Sequence, residues 1–579
     1  MANQAEILCL IRPLVPNGGM NSYQLSILLF MKKNHWAIVL LSLPILISFA
    51  YFFRFAVDSP WFDDVEAIPA FVLDFFRANT WSQKIDLLLK PNNEHRILFT
   101  KLMSLLSVGL LGKLNFVFLM LLGNLCVLGI FWLFYKNFKP NNLSLLYFAP
   151  LAFLLFQPHY HLLSFWSITS LQHQPTVFFV FLALYLLSKP SRWFVVLGAM
   201  TVVVFATFSM SNGMFGWVAG LVVLLFQKRW KISLLWLLAS GLSIFLYFRG
   251  FNTEANQDGF VFFFAHPFKT LFGFFAFVGG FADLIPARFE PYRFGLPIAA
   301  GLAFMLFWGF WFWKILTQYL KNFKAKFVPS SQVSFLVGAF TYLLLNALIV
   351  ALLRPRFGFG VLVVSNYKLY PTLFLCLCYL AFLASFRLKD SLKLQITIIA
   401  ITLIFNGVSY WRFTPEVTSR RRNLMVSSYN QAHNQVGLGA MLGSPLQPYI
   451  AKIMEGLIQK NLYQYPTYFE IPKANLGKYP NLEVRETTDN FTVSCPNYQN
   501  EGSQKDDGIY YALVSAQHTY LFASMPIPYN GKNPFRIGEG VVAFVQKSML
   551  LAGVYKIGIL QKINGKTTFT MTTKQVERL

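Results

Sequence analysis

Acidic and imidazole side chains crowd one stretch of an otherwise apolar chain. Asp58-Ser-Pro-Trp-Phe-Asp-Asp-Val-Glu66 follows the apolar run 36–57, and the same segment closes on Asn93-Glu94-His95-Arg96 before apolar residues resume at Ile97. Ionisable groups beside a bilayer are costly, so their presence points to chemistry at the membrane surface. Two adjacent carboxylates at a low-dielectric boundary, Asp63 and Asp64, can keep one of the pair basic enough to take a proton from a hydroxyl. The same pair could hold a divalent cation, Mg or Mn, with Glu66 or Glu94 adding an oxygen. The competing reading is a helix N-cap, a position that favours Asp. Asp63 comes first after the run and follows Trp61, which can shield it from water, so Asp63 is the expected base and Asp64 the alternative.

Other polar groups suit a phosphate or a sugar. His95 and Arg96 pair an imidazole with a planar fork of donors, although snorkelling at the interface would use the same residues. Gln172-His173-Gln174 adds neutral hydrogen-bonding groups, with a structural role equally open. Ser209-Met-Ser-Asn212-Gly213 breaks two short apolar runs, as a cavity-lining segment does and as a tight hairpin also would. Arg354-Pro-Arg356-Phe-Gly-Phe-Gly360 places two arginines at one span end, and Ser365-Asn-Tyr367-Lys368 follows. A lipid phosphate or pyrophosphate is the expected counter-charge. Arg420-Arg-Arg422 is a further basic group, expected to touch lipid head groups. No His or Cys spacing suggests zinc.

The elements that must position these groups follow from composition. Of 579 residues, 55% are hydrophobic and only 13% charged, which suits a polytopic membrane protein. The net charge of +25 comes from short Lys/Arg bursts between apolar runs, not from a polar basic domain, so nucleic acid is not the expected partner. Thirteen apolar segments lie between residues 36 and 411. If all crossed, Lys136, Lys139, Lys189, Arg192, Lys228, Arg229 and Lys231 would lie outside, against the positive-inside bias. If 97–112 and 266–285 do not cross, about eleven spans remain and the bias is restored. The loop 58–96 then shares the outer face with 157–174, 209–213 and 354–368. Within that loop Pro69 should open one short helix, and Trp81, Ile85, Leu88 and Leu89 should form the apolar stripe of a second, in the interface plane.

The expected fold is therefore an all-α polytopic membrane protein with a small C-terminal α+β or β-sandwich domain. Residues 1–30 form an extension without an assigned role, 31–411 the membrane domain, and 412–579 an extracytoplasmic domain. In the last, 446–463 reads as helix, 509–514 and 541–545 as strands, and 555–573 as a hairpin about Asn564-Gly565. That domain carries no acid-base cluster and is expected to tune acceptor choice and stability.

This combination resembles the GT-C class of integral-membrane glycosyltransferases. Protein O-mannosyltransferases and aminoarabinose transferases are similar in layout. The Asn-Glu-His-Arg, Ser-x-x-Asn-Gly and Arg-x-x-x-Gly-x-Gly marks resemble one bacterial branch of that class. The chain departs from it at Ser365-Asn366-Tyr367, where Ser-Arg-Tyr is expected, and Lys368 follows. The resemblance implies a polyprenyl-phosphate-linked sugar donor, an extracytoplasmic acceptor hydroxyl, inversion at the anomeric carbon and residence in the bacterial inner membrane. It also implies one loop Asp as base, with basic residues neutralising the departing phosphate. An O-antigen-type polymerase or ligase should instead carry its large outer loop late in the chain. A transporter or flippase should show internal repeats and mid-membrane charge, and neither feature is found.

Overall fold

The computed structural model describes residues 22–579 except 94, 191, 252–256, 286–291, 322–328, 387–390, 478–480, 497, 499–504, 530–532 and 534–536. It is a helical bundle followed by a β domain. Among the described residues, seven helices are long and apolar enough to cross a membrane: His35–Phe55, Phe116–Asn141, Ser167–Ser188, Trp230–Phe248, Tyr292–Lys321, Ser331–Leu353 and Leu392–Asn434. The chain is thus a membrane protein by length and composition of its helices.

The bundle helices are labelled in chain order. They are α1 (Ser22–Phe55), α2 (Phe71–Arg77), α3 (Trp81–Leu89), α4 (Leu98–Leu111), α5 (Phe116–Phe138) and α6 (Ala149–Leu155). Then come α7 (Ser167–Ser188), α8 (Trp193–Ser209), α9 (Phe215–Phe226), α10 (Trp230–Phe248) and α11 (Pro267–Val278). The last four are α12 (Gly295–Lys321), α13 (Ser331–Leu353), α14 (Leu369–Ser385) and α15 (Leu392–Asn434).

Polar contacts sort the helix ends into two groups. In one, Gln332 Nε2 donates to Asn137 O and Asn141 Oδ1, Gln227 Nε2 to Ser188 O, and Trp311 Nε1 to Ser385 Oγ. In the other, Asp58 meets Asn115 and Phe116, while Asn212 meets Asn346 and Tyr370. Both ends of α4 fall in this second group, since Leu114 N bonds Leu462 O and Asn92 bridges His95 just before α4 begins.

Two local expectations are corrected. One of the thirteen apolar segments, 143–158, expected as a single helix, is instead a 3₁₀ turn, Leu145–Tyr147, followed by seven-residue α6. Pro150 in the first turn of α6 lacks the N–H that would join them, and full burial inside the bundle shelters the break. Pro69 does not open a helix; it lies inside a π turn, Glu66–Ala70, that leads into α2. Helix α3 forms as expected, opened by a capping box between Thr80 and Gln83, and it leaves Trp81 and Ile85 exposed.

The β domain is a two-sheet sandwich. One sheet runs Asn475–Leu476, Lys566–Arg578, Gly553–Ile563, Gly508–Val514, Thr519–Ala523; the other runs Glu483–Glu486, Asn490–Cys495, Ile537–Gln546, Met525–Pro528. Alternation along Gly508–Val514 explains its burial on both faces. Ile509, Tyr511 and Leu513 face the inter-sheet core, while Tyr510 and Ala512 pack on Leu424 and Met425 of α15. The expected hairpin forms with Asn564 and Gly565 both at positive φ (49° and 81°), as a type I′ turn demands.

Helix α15 continues past residue 412 without a break, running for 43 residues from the bundle to the sandwich. Its arginines are not lipid-facing. Arg421 pairs with Asp506 (Nε–Oδ1 2.6 Å) and donates to Ala56 O, while Arg422 donates to Ile509 O. Removing one partner of a buried pair strands the other. Arg421→Ala should therefore cost about 3 kcal/mol, read as a lower unfolding midpoint and faster proteolytic release of the sandwich. Wild-type stability in that variant would show that the pair does not dock the domain.

Candidate active site

The loop after α1 is fastened before it reaches the cavity. Asp58 caps α5, accepting from Phe116 N at 2.6 Å and Asn115 Nδ2 at 3.0 Å. Phe62 then takes a left-handed backbone (φ 49°), held by its N–H bond to Leu438 O. Past that reversal the two aspartates part company. Asp64, 1% exposed, accepts from Trp61 N at 3.0 Å and from Ile168 N at 2.8 Å. Ile168 N belongs to the first turn of α7, where N–H groups lack a helical partner. Asp64 therefore ties the loop to a helix N-terminus, and Asp63 is left facing a cavity of about 830 Å³.

Asp63, His95, Gln172, His173, Asn212, Arg354 and Tyr367, all singled out by sequence, line that cavity. They come from the first loop, the start of α7, the α8–α9 break, the end of α13 and the segment before α14. Asn212 Nδ2 donates to Asn346 Oδ1 (2.7 Å) and to the Tyr370 hydroxyl (2.6 Å), which lies 2.9 Å from His173 Nδ1. With Asn212 donating to it, Tyr370 is set to donate to Nδ1, which leaves the imidazole proton on Nε2. The Oδ1 atoms of Asn212 and Asn366, both wall residues, have no hydrogen-bond partner among the described residues.

Burial first, and then the neighbouring Glu66 charge, raise the Asp63 carboxyl above its ordinary value. Burial lifts Asp64 to about 7, against its two N–H donors and the Arg420 charge. The Arg420 guanidinium lies over the Trp61 ring at 4.3 Å and over Trp166 at 5.6 Å, and these indoles contact each other at 4.5 Å. This stack backs the tether from behind.

The remaining expected site residues that are described lie outside this cavity. Glu94 falls outside the described residues. Glu66 is exposed and does not line the cavity. Arg96 donates to the backbone carbonyls of Leu89, Tyr247 and Arg249, so its fork holds the wall together. Arg356 lines a separate hollow with His266 and Phe357. Lys368 is buried and turned away, paired with Asp283 at 2.8 Å, which Arg293 also grips at 2.6 Å. Burial opposes ionisation of Asp283, but the two cations hold its carboxyl below the ordinary range.

Among the described residues, no three His, Cys, Asp or Glu side chains gather to hold a metal ion. Each oxygen of Asp64 accepts one N–H bond, so that carboxyl serves first as a tether. Sequence reasoning missed Asn346 and Tyr370, and it placed Arg420 against lipid head groups where the structure stacks it on Trp61. A lone Asn inside the apolar run 331–353 was the available signal for Asn346. No family model, curated protein or solved structure matches this chain, so the site stands on its own geometry.

The elevated Asp64 value sets a pH dependence. The folded chain keeps a proton that the unfolded chain, at 3.8, releases. Stability is therefore full below about pH 4 and declines as pH rises toward about 7. Asp64→Asn should flatten that decline, although Asn can accept only one of the two N–H groups. Unfolding midpoints measured across this window check it; an unchanged slope would remove Asp64 as the group responsible.

Proposed function

We propose that this chain is an inverting membrane glycosyltransferase that moves a sugar from a polyprenyl-phosphate-linked donor to an acceptor hydroxyl on the outer face. The observation that carries the reading is the convergence of Asp63, His95, His173, Asn212, Arg354 and Tyr367 on one cavity. In the proposed reaction Asp63 takes the proton of the acceptor hydroxyl. The acceptor oxygen bonds to the anomeric carbon from one side while the bond to the phosphate oxygen breaks on the other, releasing polyprenyl phosphate. Arg354 and His95 offset the charge that develops on that phosphate. His173, oriented by Tyr370, and Asn212 hold sugar hydroxyls. No step is routed through a metal.

Membrane preparations given a labelled polyprenyl-phosphate sugar should transfer the label. Loss of a general base costs about 10² to 10⁴ in rate, so Asp63→Asn should nearly silence transfer while membrane insertion persists. Arg354→Ala should raise the donor concentration needed. Near-normal transfer by both Asp63→Asn and Asp64→Asn would remove the main support for this reading.

We further propose eleven crossings, with 97–112 and 266–285 remaining on the outer face, the N-terminus inside and the sandwich outside. The grouping of helix ends and the Lys/Arg distribution both support this arrangement. Single cysteines introduced at 139 and 229 should be shielded from an impermeant thiol reagent in intact cells, and one at 566 should react. External labelling at 139 would favour thirteen crossings.

A further inference from the structure

A second cavity, of about 1170 Å³, adjoins the first. The partition between them consists of two short segments whose residues alternate in facing. Asn92 and His95 look into the active cavity while Lys90 and Arg96 look into its neighbour. Likewise Tyr247 and Phe248 line the first, and Leu246 and Arg249 the second. Arg96 stitches the partition by donating to the carbonyls of Tyr247 and Arg249.

The second cavity joins two chemistries. Val204, Phe208 and Leu246 form an apolar wall on α8 and α10. Around it those helices leave Phe205, Leu242 and Phe245 exposed, as a lipid-facing surface does. Arg77, Lys90, Arg96 and Arg249 stand at the polar side with Asp74 and Asp86, so cations outnumber carboxylates there, and among the described residues Arg77, Lys90 and Arg249 make no side-chain hydrogen bond or ion pair. Overhead, α3 presents Trp81 at 77% exposure, the kind of residue that anchors at the head-group level. An apolar wall beneath an excess of cations matches a phosphate on an acyl chain better than a soluble polymer.

We propose that this cavity binds the phosphate-bearing head group of a membrane lipid other than the donor, and that this lipid is the sugar acceptor. The acceptor role rests on the glycosyltransferase reading; the lipid site does not. The head group lies against Arg77 and Arg249, its chains run along α8 and α10, and its hydroxyl reaches Asp63 over the partition.

The test uses the full chain in detergent, with native mass spectrometry counting retained phosphatidylglycerol against phosphatidylcholine of equal chain length. The wild type should prefer the anionic lipid by about tenfold, and the double variant Arg77→Gln/Arg249→Gln should lose that preference. Leu246→Trp, which fills the cavity without touching charge, should lower retention of the anionic lipid and keeps the test decisive if the double variant unfolds. Equal retention of the two lipids, an unchanged preference in the double variant, or displacement by an equal concentration of inorganic phosphate would overturn the lipid site. In the transfer assay, the labelled product should extract with phosphate-bearing lipids; label in protein or wall polymer would overturn the acceptor role. A failed Asp63 experiment leaves the lipid-retention result standing, so the two ideas fail separately.

Discussion

One carboxylate organises the site without facing the cavity. Asp64 joins Trp61 N–H to Ile168 N–H, so the turn after the first helix and the start of α7 share a single acceptor pair. Buried without those donors, the group would bear the full cost of desolvation. With them, it fixes the direction in which its neighbour projects. Phe62 contributes the reversal, and the Trp61–Trp166–Arg420 stack seals the back. Asp63 faces the cavity because Asp64 cannot turn away from its anchors.

Interrupted helices complete the arrangement. The α8–α9 break exposes Asn212, and the 3₁₀ turns after α13 bring Arg354 and Tyr367 to the same opening. Such breaks leave backbone groups that lipid could not satisfy, so they are confined to where protein or a polar cavity surrounds them. The polar row Asn346–Asn212–Tyr370–His173 shows the same economy: each side chain completes the bonding of the next, and the last presents an imidazole to the cavity.

Much of this was legible in the sequence, for identifiable reasons. The acidic loop stood out because carboxylates are rare beside apolar runs, and the sandwich strands because their alternation and the Asn564-Gly565 turn leave few other conformations. Charge type alone could not reveal direction. Lys368 and Arg96 lie beside the expected marks, yet one is drawn to Asp283, 85 positions away, and the other to carbonyls on α10. The partner that claims a long cation is set by tertiary packing, and spacing along the chain does not encode it. The same holds for Arg421 and Arg422, whose run looked like a lipid contact and is in fact a seam between layers.

The unbroken α15 has a mechanical meaning. At about 1.5 Å per residue, its 43 residues form a rod of roughly 65 Å that begins in the bundle and ends beneath the sandwich. Arg420 lies partway along, against the indoles behind Asp64. A torque applied to the sandwich would thus be felt as a rotation of that guanidinium on its aromatic seat. Pro415, where one backbone bond is missing, is the natural fulcrum. The sandwich and the cavity are connected as a handle is to a latch.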